Sequence, residues 1–188
     1  MKPDLMTTEK LRLEVEKLWI KHIKLCQDHF LYFVQEVWPD FICRKEKEKN
    51  KWGHHQIIAH QFTNIAHEKK GRLIINMPPR HTKSEFASIY FPAWMIGKFP
   101  KMKIMQVSHN TELAVRFGSK VRNIVASPEY KQIFGDVKLR EDSKAKGRWE
   151  TNHGGEYYAA GVGASITGRG ADLLIIDDPH TEQDAMSD

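Results

Sequence analysis

Apolar residues in the first third of the chain recur three and four positions apart. Leu11, Val15, Leu18, Trp19, Ile23, Cys26 and Phe30 form a single stripe, which predicts a long helix. Thr7 or Thr8 is placed to cap its start, and Pro39 ends the pattern after Val37-Trp38. The run 44–51, dense in Lys and Glu, reads as a solvated linker or helix face. Helical spacing returns over residues 52–67 through Ile57, Ile58, Phe62 and Ile65. From Arg72 the rhythm changes to short apolar runs alternating with helical stretches. Residues 73–76 read as a buried strand, and 84–96 as a helix that Pro92 ends or kinks. Residues 103–107 read as a second strand, 111–126 as a helix, and Ser127-Pro128 as the start of a short helical piece. The segment 135–147 is polar and reads as exposed. Residues 148–151 and 156–160 flank Gly154-Gly155 as a hairpin, and 173–176 form a last apolar strand. Strands alternating with helices argue an α/β protein with a mainly parallel sheet.

Composition narrows the class without naming it. The 188 residues, 40% hydrophobic and 28% charged, suit one globular domain with a real core. The net charge of +5 permits a nucleic-acid partner but does not demand one. The two cysteines, Cys26 and Cys43, have no C-x-x-C spacing, so neither a disulfide framework nor a zinc knuckle is indicated. His54, His55, His60 and His67 lack the supporting ligand spacing of a metal-binding helix. No apolar run approaches the ~20 residues of a membrane span, and the first ten residues carry no signal-peptide core, so an intracellular, soluble protein is expected.

Candidate chemistry sits at two strand ends. In Arg72-Leu73-Ile74-Ile75-Asn76-Met77-Pro78-Pro79-Arg80-His81-Thr82-Lys83-Ser84, a strand leads through a polar loop to Lys-Ser and a helix. That order is how a P-loop holds nucleotide phosphates. The loop Pro79-Arg80-His81-Thr82-Lys83-Ser84 wraps the anion: backbone N–H groups from Arg80 onward and the helix N-terminus face it, Lys83 reaches the phosphates, and the Ser84 hydroxyl ligates Mg²⁺. The pattern wants glycines at the positions of Met77 and Thr82, and neither is present. The strand 173–176 ends in Asp177-Asp178, as a Walker B element requires: one carboxylate supports the metal and the next polarises water. Ligands of open α/β sheets bind outside the carboxyl ends of the strands, where both tips can meet. Arg80 can grip γ-phosphate oxygens bidentately, and Arg169, in a glycine-rich approach to the last strand, suits an arginine finger. Gln56 carries an amide able to read an adenine edge.

These residues also carry a family resemblance. Met77-Pro78-Pro79-Arg80-His81-Thr82-Lys83-Ser84-Glu85 resembles the deviant Walker A of tailed-phage large terminase subunits. Thr167-Gly168-Arg169-Gly170-Ala171-Asp172-Leu173-Leu174-Ile175-Ile176-Asp177-Asp178-Pro179 resembles that family's Walker B region. Phe91-Pro92-Ala93-Trp94, Ser108-His109-Asn110, Gly154-Gly155-Glu156-Tyr157 and Phe33-Val34-Gln35-Glu36-Val37-Trp38-Pro39 fit as well. The resemblance implies a P-loop ATPase of the additional-strand (ASCE) class, acting with ATP and Mg²⁺ in the host cytoplasm. Such a motor drives double-stranded DNA into a procapsid as a homo-oligomeric ring on the portal protein, with a small terminase subunit. By the same resemblance Lys83 binds phosphate, Ser84 and Asp177 serve the metal, Gln56 lies on the adenine side, and Arg169 reaches a neighbouring subunit's nucleotide.

Two departures qualify that picture. Asp178 stands where the family has a catalytic glutamate, so either Asp178 itself or Glu182 supplies the carboxylate, with Asp178 favoured. The expected division is a helical segment and charged linker over 1–50 and an ATPase domain over 51–188 that stops after Walker B, without the family's nuclease domain. In the additional-strand class the strand after Walker B lies between it and the P-loop strand. The sheet is therefore expected to be incomplete, and the chain to be a fragment or half of a split terminase with weak or no activity alone. The competing expectations are another P-loop translocase or helicase, and a degenerate P-loop module that assembles without turnover.

Overall fold

The computed structural model describes residues 5–43, 53–68, 71–164 and 168–180. The N-terminal stripe forms two helices: α1, Leu5–Asp28, and α2, Phe30–Val37, parted at His29, whose backbone is extended (φ −128°, ψ 119°). Thr7 and Thr8 lie inside α1, so neither caps it. Only the end of the stripe is buried. Cys26 and Phe30 are fully enclosed, whereas Leu11, Val15, Leu18 and Trp19 are exposed. The charged run 44–51 and Trp52 lie outside the described residues, and α3 spans His54–Glu68.

After the Lys83 loop a continuous helix runs over 83–98. Its middle is a π-helical turn, Glu85–Tyr90, and its end is α4, Phe91–Lys98. Pro92 does not end it. Proline has no N–H to give, and it stands in the first turn of α4, where the wider π spacing hands over and a missing donor is least costly. Next come β1 (Lys103–Ser108), α5 (Thr111–Val125), capped by the Asn110 side chain, and α6 (Pro128–Ile133), capped by Ser127.

The sheet has five strands in the order β2-β3-β4-β1-β5. β3 (Arg148–Thr151) and β4 (Glu156–Gly161) form the hairpin expected around Gly154-Gly155, with Gly154 in the left-handed region. β2 (Leu139–Lys144) falls in the segment read as an exposed polar stretch; it pairs antiparallel with β3 at one edge of the sheet. β1 lies between β4 and β5 (Leu173–Ile176) and is parallel to both. Its register sets Lys103 opposite Glu156 and Val107 opposite Ile176. The protein is thus α/β, with an open, mixed sheet flanked by helices.

One expected strand is absent. Residues 71–78 carry no regular structure, and Ile74 is 85% exposed. β5 is the last described strand of the sheet and pairs only with β1; no described strand bridges it to residues 73–76, and an extended segment without cross-strand hydrogen bonds is not a strand. β5 itself leaves Leu174 and Ile176 exposed.

The core is one aromatic-rich cluster that takes in α2, α3, the 83–98 helix, α5, α6 and one face of the sheet. Phe30 is at its centre. Its ring meets Phe62, Phe86, Phe91 and Trp94 edge-on, at centroid distances of 5.2, 5.5, 5.9 and 5.7 Å. The Trp94 indole N–H donates to the Cys26 carbonyl (2.9 Å), and the Gln27 amide donates to that of Ile133 (2.6 Å), tying the end of α1 down. Deleting a phenyl group enclosed on every side removes apolar burial and leaves a cavity. Phe30→Ala is therefore expected to cost about 3–5 kcal/mol, read as a lowered urea midpoint.

Candidate functional site

Residues 79–82 turn sharply before the helix begins. Arg80 (φ 64°) and Thr82 (φ 63°) both adopt the left-handed backbone that a side chain normally opposes. Thr82 occupies the position where a P-loop has its second glycine, so the backbone keeps the glycine shape without the glycine. Two hydrogen bonds hold it there. The Thr82 hydroxyl donates to the His81 carbonyl (2.6 Å) and accepts from His55 Nε2 (2.9 Å). Because the hydroxyl hydrogen goes to His81, the buried His55 is the donor, which fixes its tautomer. Phe86 N–H then donates to the Thr82 carbonyl (3.0 Å) and closes the first helical turn. The free N–H groups of that turn are suited to an anion.

Lys83, at the head of this helix, reaches across to the end of β5. Its Nζ lies 2.5 Å from Asp178 Oδ1 and 3.2 Å from Asp177 Oδ1. Asp177 is buried, and Ser88, on the π-helical turn, donates to its second oxygen at 2.8 Å. Gln106, fully buried in mid-β1, donates to Ser88 Oγ at 3.2 Å. The backbone is pinned too: Ser108 Oγ donates to the Asp177 carbonyl and His109 N–H to that of Asp178. A polar chain therefore runs Gln106–Ser88–Asp177–Lys83–Asp178, from the sheet interior to its carboxyl edge. Burial pulls the Lys83 pKa down, but the hydrogen bond it donates to Asp178 and the charge of Asp177 outweigh it and leave the ammonium above its usual range.

The donor set fits a hard divalent cation. The Asp177 and Asp178 carboxylates offer oxygen ligands, and the Lys83 ammonium already stands between them as a cation does, while Ser84 immediately precedes the π-helical turn. Beside the loop, a cleft of about 300 Å³ is lined by Trp38, Phe41, His54, His55, Arg80, His81 and Thr82. Trp38 stacks on Tyr90 at 5.0 Å, and Phe41 meets His55 edge-on, so the cleft has a rigid aromatic wall next to the turn.

The expected site residues divide into two groups. Lys83, Asp177 and Asp178 come together, and Arg80, His81 and Thr82 join them on the cleft side, with Pro79 in the turn. Gln56 is otherwise engaged: its Oε1 accepts the Gly53 N–H (2.9 Å) at the start of α3. Arg169 is at the opposite end of the sheet. It lies over the Tyr158 ring (4.3 Å) and 3.4 Å from Glu156, whose partner Lys103 begins β1, whereas the Lys83 cluster follows the ends of β1 and β5. The four residue steps from Lys103 to Val107 alone separate these levels by about 13 Å. Glu182 lies outside the described residues. Sequence reading missed Ser88, Gln106 and His55. The signal for Gln106 was present, as a lone amide in the middle of an apolar strand.

Comparisons of the chain with protein-family models, with curated proteins and with solved structures find no match.

Removing Lys83 leaves Asp177 buried without its counter-charge. Lys83→Ala is expected to cost about 2 kcal/mol in urea unfolding. Adding Asp177→Asn, which keeps an oxygen for Ser88 but no charge, is expected to recover much of that loss. The sign with pH follows from the raised Lys83 pKa. The lysine's contribution is complete below its ordinary value of 10.5 and is lost as pH rises through the higher folded value. The stability gap between wild type and Lys83→Ala should narrow only at strongly alkaline pH.

Proposed function

We propose that this chain is the ATP-hydrolysing part of a DNA-packaging motor of the large-terminase kind, built on an additional-strand P-loop fold. The observation that carries the reading is the meeting of Lys83, at the head of a helix entered through a glycine-like turn, with Asp177-Asp178 at the end of a parallel strand. A lysine and two carboxylates at a sheet's carboxyl edge are the charges that phosphoryl transfer to water requires.

In this reading Lys83 leaves the carboxylates for the β- and γ-phosphates, which receive the N–H groups of the first helical turn and the Arg80 guanidinium. Asp177 and the Ser84 hydroxyl are the residues that hold Mg²⁺, which when bound offsets charge on the phosphate oxygens. Asp178, freed from Lys83, orients the attacking water and takes its proton. The aromatic cleft beside Thr82 receives the nucleoside. Arg169 serves a neighbouring subunit in a ring, which its distance from its own Lys83 supports. Double-stranded DNA, the portal protein and a small terminase subunit are the proposed partners.

A second reading draws on the unformed strand at 73–76: a P-loop assembly module without turnover. Calorimetric titration with MgATP, paired with a phosphate-release assay in the presence of DNA, separates the two. The motor reading expects saturable binding that Lys83→Ala weakens roughly 10–100-fold, the worth of one or two charge-assisted hydrogen bonds. Binding without DNA-stimulated release, or no binding at all, would favour the module. Binding indifferent to Lys83 would remove both.

A further inference from the structure

We propose that His22, Cys26 and Glu36 form a zinc site at the junction of α1 and α2, made of residues that take no part in the Lys83 cluster. His22 and Cys26 are four residues apart and so share one face of α1. The break at His29 turns the chain back, and α2 returns Glu36 to the same face. His22 Nε2 lies 2.8 Å from Glu36 Oε2 and 3.6 Å from Cys26 Sγ, and the three ligand atoms fall within 4.8 Å of one another.

Tetrahedral zinc, with bonds of about 2.0–2.3 Å to nitrogen, oxygen and sulfur, holds neighbouring ligand atoms roughly 3.4–3.6 Å apart. The sulfur–nitrogen spacing already has that value, and the nitrogen–oxygen pair needs to open by about half an ångström. Without metal the groups pair through two protons: His22 Nε2–H donates to Glu36, and the Cys26 thiol donates to the Tyr32 carbonyl at 3.7 Å. Zinc replaces both. The His22 proton moves to Nδ1, leaving Nε2 as a ligand, and the thiol proton is released to solvent. The Tyr32 carbonyl or a water molecule fills the fourth position.

Charge and chemistry favour this occupant. One thiolate and one carboxylate neutralise a divalent ion, so the half-buried site carries no net charge. A mixed sulfur, nitrogen and oxygen set suits zinc better than magnesium or calcium, which take oxygen alone. The bound ion would clamp α1 against α2, the helix that ends at Trp38 and the aromatic cleft.

The test is a cobalt(II) titration of the metal-free chain. The expected result is a thiolate-to-cobalt charge-transfer band that saturates at one equivalent and disappears on adding zinc. His22→Gln and Glu36→Gln alter half-exposed side chains and should abolish or weaken the band with the far-ultraviolet dichroism unchanged. Cys43→Ser should leave it intact. Zinc should raise the thermal midpoint of the wild-type chain and not of the two variants. Absence of the band in wild type overturns the proposal, as does its loss in Cys43→Ser or its full persistence in both His22→Gln and Glu36→Gln.

Discussion

The ion cluster of Lys83 with Asp177 and Asp178 is the constraint that organises this end of the molecule. It joins residues 95 positions apart and brings the head of one helix to the tip of an edge strand. A buried carboxylate such as Asp177 is tolerated only with charge and hydrogen bonds around it, so the positions of Lys83 and Ser88 are coupled. Ser88 can face Asp177 from within a helix that also buries Phe86 and Ile89, because a π-helical turn resets the angular spacing between successive side chains. Gln106 extends the same logic into β1 on one side only: its amide nitrogen donates to Ser88, while its buried Oε1 has no hydrogen-bond partner. The core and the candidate site therefore share a boundary, and a change in one is felt in the other.

The same cluster explains how a loop without glycines keeps a glycine-like course. A β-branched residue in the left-handed region costs on the order of 1–2 kcal/mol. Thr82 sits there because the helix behind it is fixed by Lys83 and the turn before it is held by His55 and the His81 carbonyl. Strain of this kind persists only where the surroundings over-determine the conformation, and such places coincide with ligand-binding turns. The threonine hydroxyl that makes the strain affordable is something glycine lacks, so the substitution couples the loop to α3 and the aromatic cleft.

Much of the fold was legible because period and turn chemistry agree with tertiary burial. β1, β5, the β3–β4 hairpin, α3, α5 and the helix after Lys83 all lie where apolar spacing and caps place them. The misses have separate causes. β2 is polar because it lies at the sheet edge, where Arg140 pairs with Asp142 and Glu150 and no buried face writes an alternating pattern. Residues 73–76 have strand composition but no neighbour, and local propensity does not supply ladder hydrogen bonds. Pairing Lys83 with Asp177-Asp178 needed only the order of two motifs. Ser88 and His55 needed helix geometry, and the cysteine spacing rule passed over Cys26 because its neighbours come from i−4 and from another helix.

Arg169 marks the limit of reasoning from motif order alone. Its place just before β5 suggests proximity to Asp177, yet a parallel strand carries the chain from one edge of the sheet to the other in four residues. Whatever precedes such a strand lies at the edge opposite to whatever follows it. Arg169 accordingly lies over the Tyr158 ring, with Glu156 shared between it and Arg148, in a cleft of about 400 Å³ at the amino edge. A guanidinium restrained by an aromatic face and a carboxylate is partly preorganised, and it loses less entropy on meeting an external anion than a free surface arginine would. The topology of β5, rather than the composition of its loop, thus sets Arg169 apart from the Lys83 cluster of its own chain.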